Sequence, residues 1–349
     1  MRVTSKALLS FTLLAAFAVM GHTDAKPQTH VRFMVMGDDR IRFPSEGGLR
    51  SGFDNLKSGI NEGVLGPMLD SMFRMKPDFV LVTGDLVGGE SKTPLPGLGT
   101  LDEQLAAWIT FVKHHNPNNV PILPVRGNHE TRGVHPADSW KPVQRMTKEY
   151  AMRFPGFQTD GFNLGFNYKN VTILGLDCYQ SGANWASVYW SHAKVLRNKK
   201  KNVFAFSHPM FFFSGGHEDK LSNQNRDELL NALVDAGCRN FFAGHDHLYD
   251  KVTATRSDKR WHGASITQYV AGTAGAPFYA GKALPDKDAA MDGATYFLKR
   301  NPTDHVENRY AYLMVDVYGD KPPVVTPMFL DLPSIPDPKV MGVQEPAGK

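Results

Sequence analysis

Residues 79–85, Phe-Val-Leu-Val-Thr-Gly-Asp, form a short apolar run that ends in a glycine and a carboxylate. An apolar run of this length, bounded by turn residues, is typical of a strand buried on both faces, as strands in parallel sheets are. The glycine allows the backbone to turn sharply where the strand ends. The stretch therefore predicts a buried parallel strand over 79–83 with Asp85 at its carboxyl end.

The same arrangement recurs along the chain, with segments of helical periodicity between the strand-like runs. Such alternation is the pattern of an α/β fold with parallel strands and crossover helices. Prolines in 120–125 place that strand near a sheet edge, and Gly66 and Pro67 confine the first helix to the residues after them. The predicted strands are 31–36, 79–83, 120–125, 165–168 and 171–176 (as a hairpin), 203–206, 240–243, 266–271 and 310–317. The predicted helices lie within 65–75, 101–114, 143–153, 185–196 and 226–236.

The first 25 residues have the order of a secretory signal. Arg2 and Lys6 precede an apolar run over 7–20, and a short polar stretch ending at Ala25 follows it. The run is short for a membrane span, which needs about 20 residues. We therefore predict a signal peptide over 1–25, export to the periplasm or the exterior, and no membrane span after cleavage. One domain over 26–333 and a proline-rich tail over 334–349 follow, since no linker divides the chain.

Charge and cysteine content limit the partners and the cross-links. The formal net charge of +4 becomes +3 when Arg2, Lys6 and Asp24 leave with the signal, which is too little to indicate nucleic acid. An exported pair of cysteines suggests a disulfide. However, Cys178 follows one predicted strand and Cys238 precedes another, so parallel strands place them at opposite ends of the sheet. We predict two free thiols.

Acidic, amide and imidazole side chains follow five of the predicted strands, each in the turn directly after the strand. Open α/β sheets place ligand sites at the carboxyl ends of their strands, and a glycine or proline in each turn lets the side chains converge. One such histidine alone would more often be a surface or core residue, but the shared position reverses that expectation. The candidate site residues are Asp38, Asp85, Asn128, His129, His208, His245 and His247.

Carboxylate, amide and imidazole donors without a thiolate suit manganese, iron or zinc better than calcium. Two such ions about 3.5–4 Å apart would share a bridging carboxylate, lower the pKa of a bound water toward 7 and hold both oxygens of an in-line displacement at phosphorus. His245 and His247 can reach adjacent ions from a turn, while Asp246 between them would point elsewhere. The set predicts two divalent or trivalent transition metal ions (Mn, Fe or Zn) and a small phosphate ester as substrate.

These turns resemble the ordered motifs of the calcineurin-like metallophosphoesterase superfamily. The motifs span most of the mature chain and are Gly37-Asp38, Gly84-Asp85, Gly127-Asn128-His129-Glu130, His208-Pro209 and Gly244-His245-Asp246-His247. The resemblance implies a four-layer α/β/β/α sandwich of two mixed β-sheets flanked by helices, with a dimetal site along one edge. It also implies the roles of the residues: Asp85 bridging, Asp38 and His247 on the first ion, Asn128, His208 and His245 on the second, and His129 as the acid or phosphate-orienting group.

The first motif departs from the family pattern at Arg40. The family usually has Asp-x-His, whereas this chain has Asp38-Asp39-Arg40. Arginine stays protonated and cannot bind a metal, but its planar fork suits phosphate. The purple acid phosphatase branch instead uses a tyrosine at the position of Gly88, and that substitute is absent. We expect the first metal ion to have fewer protein ligands than usual, and Arg40 to bind the substrate and take part in catalysis. Asp39 is either a metal ligand or a partner for Arg40.

Two features near His208 have open interpretations. His217 lies in a glycine-rich stretch and is a candidate for substrate binding together with Arg40 and Asn128. The apolar run 211–213 forms either a wall for the substrate or part of the core.

The predicted function is hydrolysis of a phosphate monoester or diester by metal-activated hydroxide. Cyclic nucleotides or phospholipid-like diesters are the alternative substrates, because a diester carries less charge and suits a site short of one ligand. A catalytically silent phosphate-binding scaffold is the alternative outside enzymes, motivated by Arg40. The substrate, the metals and the oligomeric state do not follow from the sequence.

Overall fold

Two β-sheets packed face to face form the centre of the fold in a computed structural model of the chain. The structure describes residues 29–41, 54–90, 96–179, 193–216, 223–279 and 282–332. The signal peptide 1–25, the tail 334–349 and most of the predicted helix 185–196 lie outside these ranges and stay predictions. None of the helices in the described ranges has the length and apolarity that a membrane span requires.

The strands and helices follow each other along the described residues much as the periodicity predicts. The strands are β1 (His30–Met36), β2 (Asp54–Asn55), β3 (Ile60–Asn61), β4 (Phe79–Val82), β5 (Ile122–Pro124), β6 (Gln158–Thr159), β7 (Leu164–Tyr168), β8 (Val171–Gly175), β9 (Asn202–Phe206), β10 (Cys238–Ala243), β11 (Tyr249–Arg256), β12 (Ser265–Ala271), β13 (Lys287–Ala289), β14 (Thr295–Lys299), β15 (His305–Val306), β16 (Tyr310–Tyr318) and β17 (Val324–Leu330). The helices are α1 (Glu62–Arg74), α2 (Leu101–His114), α3 (Pro136–Ser139), α4 (Lys141–Ala151), α5 (Ala193–Arg197) and α6 (Asn223–Asp235), with a 3-10 turn at His129–Thr131.

The smaller sheet has the order β17-β16-β1-β4-β5. β1, β4 and β5 are parallel, with register pairs such as Val35 with Leu81 and Leu81 with Leu123. Every residue of β4 is buried, as predicted for a strand covered on both faces. β5 is the edge strand, as its prolines indicate. Antiparallel β16 and β17 make the sheet a mixed one.

The larger sheet has the order β13-β14-β11-β12-β10-β9-β8-β7-β6, with β15 beside β11. Its centre is parallel, from β8 through β9 and β10 to β12. The predicted β7–β8 hairpin is confirmed and turns at Lys169, whose φ is 48°. The periodicity does not predict β11, β14 or β17, which extend the two sheets as antiparallel strands.

Aromatic side chains fill the space between the two sheets, and helices cover their outer faces. Phe33 of β1 lies edge-on to Phe204 of β9 and Phe242 of β10, with ring centroids 5.2 and 6.1 Å apart. α1, α2 and α4 pack on the smaller sheet, and α6 packs on the larger one. The four-layer sandwich of two mixed sheets is therefore confirmed. Phe211 and Phe212 are fully buried beside α6, so they belong to the core.

The first helix begins earlier than predicted. α1 starts at Glu62 and contains both Gly66 and Pro67, so the prediction that Pro67 excludes the residues before it is wrong. Proline removes one backbone donor from a helix interior. Burial of Val64 and Leu65 on the inner face of this turn offsets that loss.

Both cysteines are free, as predicted. β8, β9 and β10 are parallel, Cys238 opens β10, and Cys178 follows the end of β8. The two thiols therefore lie at opposite ends of these strands, beyond the separation that a disulfide can span.

Candidate metal centre

The loops after β1, β4 and β10 place their side chains through left-handed backbone. Asp38, Asp85 and His245 have φ values of 63°, 52° and 71°. Non-glycine residues in this region cost roughly 1–3 kcal/mol each and cluster at functional sites. Backbone hydrogen bonds from Asp38 N–H to Gly84 and from Asp39 N–H to Asp85, both 2.9 Å, join the first two loops. These hydrogen bonds between the loops after β1 and β4 help to offset the cost of the left-handed backbone at Asp38 and Asp85.

Glycine permits the close approach of the loops after β4 and β5. A Cβ atom at Gly127 would collide with Oδ1 of Asp85, and one at Gly84 would collide with the backbone of Gly127. Gly84 also has a φ of 103°, which side-chain-bearing residues rarely adopt. These glycines allow Asp85 and Asn128 to lie side by side.

Four donor atoms converge at one point of the sheet edge. Nε2 of His208 lies 3.0 Å from Oδ1 of Asn128, 3.1 Å from Nδ1 of His245 and 3.4 Å from Oδ1 of Asp85. Oδ1 of Asn128 lies 3.2 Å from Nδ1 of His245. Ligands about 2.0–2.1 Å from one metal ion stand roughly 3.3 Å apart at tetrahedral angles. This quartet of Asp85, Asn128, His208 and His245 therefore has the spacing of a metal-binding set.

The backbone orients the imidazole of His208 for this purpose. Its Nδ1 lies 3.0 Å from the carbonyl oxygen of Thr83, to which it donates. Nε2 then points toward Asn128 and His245. Metal-binding histidines are commonly held by a second hydrogen bond of this kind.

The remaining predicted ligands lie on the other side of Asp85. Nε2 of His247 is 3.4 Å from Oδ1 of Asp38. His247 also stacks on Tyr279, with ring centroids 4.1 Å apart, and its Nδ1 lies 2.6 Å from the carbonyl oxygen of Pro277. Donor atoms of Asp38, Asp85 and His208 all lie within 4.8 Å of one another. The structure thus brings all six predicted ligands to one place.

Buried charges at the site shift each other's pKa values. Burial raises the pKa of Asp38 to about 7, which the positive charge of His208 only partly opposes. Burial also acts to raise the pKa of Asp85, but His129, His208 and Arg40 hold it well below its usual range. Burial lowers the pKa of His208, yet the carboxylates of Asp85 and Asp38 raise it to about 9. Nε2 of His208 therefore carries a proton, which a metal ion bound there would displace.

His129 lies beside the carboxylate of Asp85. Its Nε2 is 3.7 Å from Oδ2 of Asp85, its backbone N–H donates to Oδ1 at 3.0 Å, and its Nδ1 bonds the carbonyl oxygen of Gly88. Burial, reinforced by the positive charge of Arg40, lowers the pKa of His129 well below its usual range. The ring is therefore neutral, with Nε2 facing the site.

Two residues near the site have roles that the sequence pattern does not predict. The buried carboxylate of Glu130 accepts hydrogen bonds from the backbone N–H groups of Asp85 (3.0 Å), Val87 (3.2 Å) and Gly127 (2.7 Å). Asp39 is turned away from the cluster and accepts a hydrogen bond from Nε1 of Trp108 at 2.8 Å. The contact with Trp108 is made by Oδ2 of Asp39, and the two roles predicted for this carboxylate stay predictions. The motif position of Glu130, directly after His129, is the signal that could have identified it.

The surroundings of the site include Asp246, the loop after β12 and the predicted position of His217. Asp246 points away from its neighbouring histidines, as predicted, and accepts hydrogen bonds from Ser214 and from the N–H of Gly216. The loop after β12 packs under the site, where Ala276 donates to the carbonyl oxygen of Asp38 at 2.9 Å. His217 lies outside the described residues and stays a prediction.

Comparison with solved structures shows a shared fold at low identity. The structure of a purple acid phosphatase from yellow lupin (Lupinus luteus) seeds aligns with a TM-score of 0.54 and 14% identity over 86% of this chain. The alignment covers 52% of the lupin chain, so this chain spans about half its length. A dimetal phosphatase from Danio rerio aligns with a TM-score of 0.47, 15% identity and coverage of 84% and 98%. GAP50, the anchor in the inner membrane complex of Plasmodium, aligns with a TM-score of 0.45, 11% identity and coverage of 88% and 87%.

The sequence comparisons identify the family. No curated protein matches the chain. The calcineurin-like phosphoesterase family model matches residues 52–249, more than half of the 349 residues. This match includes the turns that carry Asp85, Asn128, His208 and His245. The chain belongs to the calcineurin-like phosphoesterase family.

Proposed function

We propose that this chain hydrolyses small phosphate esters with a transition metal ion held by Asp85, Asn128, His208 and His245. The observation that carries the proposal is that Nε2 of His208 lies within 3.0–3.4 Å of the other three donor atoms. A bound manganese, iron or zinc ion would act as a Lewis acid toward the phosphate and lower the pKa of a coordinated water toward 7.

The side chains around the quartet have complementary tasks in this proposal. The guanidinium of Arg40 offers a planar pair of N–H donors that suits two phosphate oxygens. Nε2 of His129 faces the same space, and its Nδ1 is held by Gly88. A phosphate dianion beside this ring favours protonation of Nε2, which then donates that proton to the leaving oxygen.

The test is hydrolysis of an aryl phosphate by the purified chain after loading with Mn²⁺ or Zn²⁺. We expect His208→Ala and Asp85→Asn each to abolish turnover, because the first removes a donor atom of the quartet and the second removes its only carboxylate charge. His114→Ala, on the exposed face of α2, is the matched control and should keep full activity. Normal turnover in both site variants would refute the metal-centre proposal.

The same assay separates monoester from diester hydrolysis. A diester carries one negative charge fewer than a monoester dianion, so it requires less positive charge at the site. Rates measured on a mono-aryl and a bis-aryl phosphate identify the preferred class. Cyclic nucleotides and phospholipid-like diesters are the next substrates to assay if the bis-aryl ester reacts faster.

A catalytically silent phosphate-binding scaffold is the competing proposal. It predicts a chain that purifies without transition metal and is not activated by Mn²⁺. Export is part of the main proposal and rests on the signal-like residues 1–25. An amino terminus at Lys26 in protein recovered from the periplasm or medium would support it.

A further inference from the structure

Arg40 lies inside the cage of acceptor atoms in which the first metal ion of the family motif would be expected. Its side chain is 2% exposed. Nε lies 3.6 Å from Oδ2 of Asp85, and NH2 lies 3.5 Å from Nε2 of His247. NH1 donates to the carbonyl oxygen of Ile41 at 2.9 Å, and a backbone bridge to Ile60 fixes the residue. The guanidinium is therefore held in place from several sides.

The tautomer of His247 fits a cationic donor at this position. Its Nδ1 donates to the carbonyl oxygen of Pro277, which leaves a lone pair on Nε2. That lone pair faces NH2 of Arg40 and lies 3.4 Å from the acceptor Oδ1 of Asp38. Arg40 therefore supplies a cationic donor beside this imidazole–carboxylate pair.

A metal ion bound at the same place would lie beside the positive charge of Arg40, which cannot be removed by deprotonation. The guanidinium stays protonated at any pH at which the chain is folded. Like charges a few ångströms apart repel strongly in a buried site, where the dielectric constant is low. The quartet around His208 uses Oδ1 of Asp85, whereas the guanidinium lies against Oδ2. Its other atoms are one amide oxygen and two imidazole nitrogens.

We propose that the guanidinium of Arg40 replaces the first metal ion, so that each chain binds one transition metal ion, at the quartet. This inference rests on the proposed function and replaces the two ions that the sequence predicts with one. The substrate phosphate would then lie between one metal ion and one fixed positive charge.

The experiment counts Mn²⁺ ions per chain. Full-length chain is stripped with a chelator, titrated with Mn²⁺ in a calorimeter and examined by electron paramagnetic resonance. We expect one ion per wild-type chain and no signal from a spin-coupled manganese pair. Arg40→His, which restores the usual Asp-x-His motif, should raise the count to two and produce the coupled signal. Arg40→Lys keeps the cation and should stay at one.

The outcomes separate this inference from the proposed function. Two ions per wild-type chain, with a coupled signal, would overturn the inference while leaving hydrolysis intact. A wild-type chain that binds no ion and hydrolyses nothing would instead overturn the proposed function. The wild-type count needs no variant, so the inference stays testable if Arg40→His does not fold.

Discussion

At the scale of single residues, Glu130 shows how a side chain outside the donor set can hold that set together. Its carboxylate joins the loop after β4 to the loop after β5 through three backbone N–H groups. Hydrogen bonds to a charged group contribute about 1.5–3 kcal/mol each. Burial raises the pKa of Glu130 to about 7, so these hydrogen bonds reach full strength only above that pH.

Glu130→Gln should destabilise the fold by about 1–3 kcal/mol, because the amide NH2 must face a backbone N–H where the carboxylate accepted a hydrogen bond. The measurement is urea unfolding at about pH 8, where the glutamate is ionised. Glu149→Gln, on an exposed position of α4, is the control and should change stability by less than about 0.5 kcal/mol. Equal midpoints for the two variants would contradict this role for Glu130.

Asp39 marks the limit of prediction at this scale. Its position beside Asp38 leaves its role open, and only the fold shows that its carboxylate meets Trp108 of α2. Two adjacent residues in a turn point in different directions, and the direction depends on backbone angles that the sequence does not specify. Asp38 itself has a φ of 63°, which the residue pattern does not predict.

At the scale of helices and strands, prediction succeeded where one physical signal dominated. The bounds of α2 agree with its amphipathic pattern, and a capping box between Thr100 and Glu103 fixes where the helix begins. α1 was predicted too short, because tertiary burial outweighs the local effect of Pro67. β11 was missed because its lysine, threonine and arginine side chains mask the alternation of a partly exposed antiparallel strand.

The pairing of β15 with β11 contains a pH-sensitive contact. The ring of His305 lies 3.1 Å from Asp250 and 3.1 Å from Glu307, and Arg300 also contacts Asp250. The hydrogen bond to Asp250 is the largest of the effects that raise the pKa of His305. A raised pKa in the folded state stabilises the fold fully below the unfolded value of about 6.5. That stabilisation is lost as the pH rises through the folded pKa.

His305→Gln should therefore reduce stability more at about pH 5.5 than at about pH 8.5. The measurement is the difference in free energy of unfolding between wild type and variant at each pH. His114→Gln provides the control for loss of an exposed histidine. A difference that is independent of pH, or larger at the higher pH, would show that the contact does not titrate as described.

At the scale of the whole molecule, the donor quartet connects the two sheets. Asp85 and Asn128 follow strands of the smaller sheet, and His208 and His245 follow strands of the larger one. An ion bound by all four side chains would bridge the two layers. Binding of this kind stabilises the folded state in proportion to the logarithm of ligand concentration over the dissociation constant.

Removal of the metal by a chelator should lower the free energy of unfolding by about 2.7 kcal/mol, relative to chain held at a hundredfold excess of ion over its dissociation constant. Thermal or urea unfolding with and without chelator measures the effect. His208→Ala is the internal control, because a chain that cannot bind the ion should not respond to the chelator. Identical unfolding of wild type in both conditions would exclude a bridging ion.

The strand pattern predicts which residues come together within each sheet. Carboxyl ends of parallel strands coincide at one sheet edge, which groups Asp38 with Asp85 and Asn128, and His208 with His245. The meeting of these two groups depends on how the two sheets pack, which only the folded chain shows. The folded chain was needed to show that the guanidinium of Arg40 lies between Asp85 and His247. Such contacts depend on side-chain direction and on loops far apart in the chain, and strand periodicity carries no information about either.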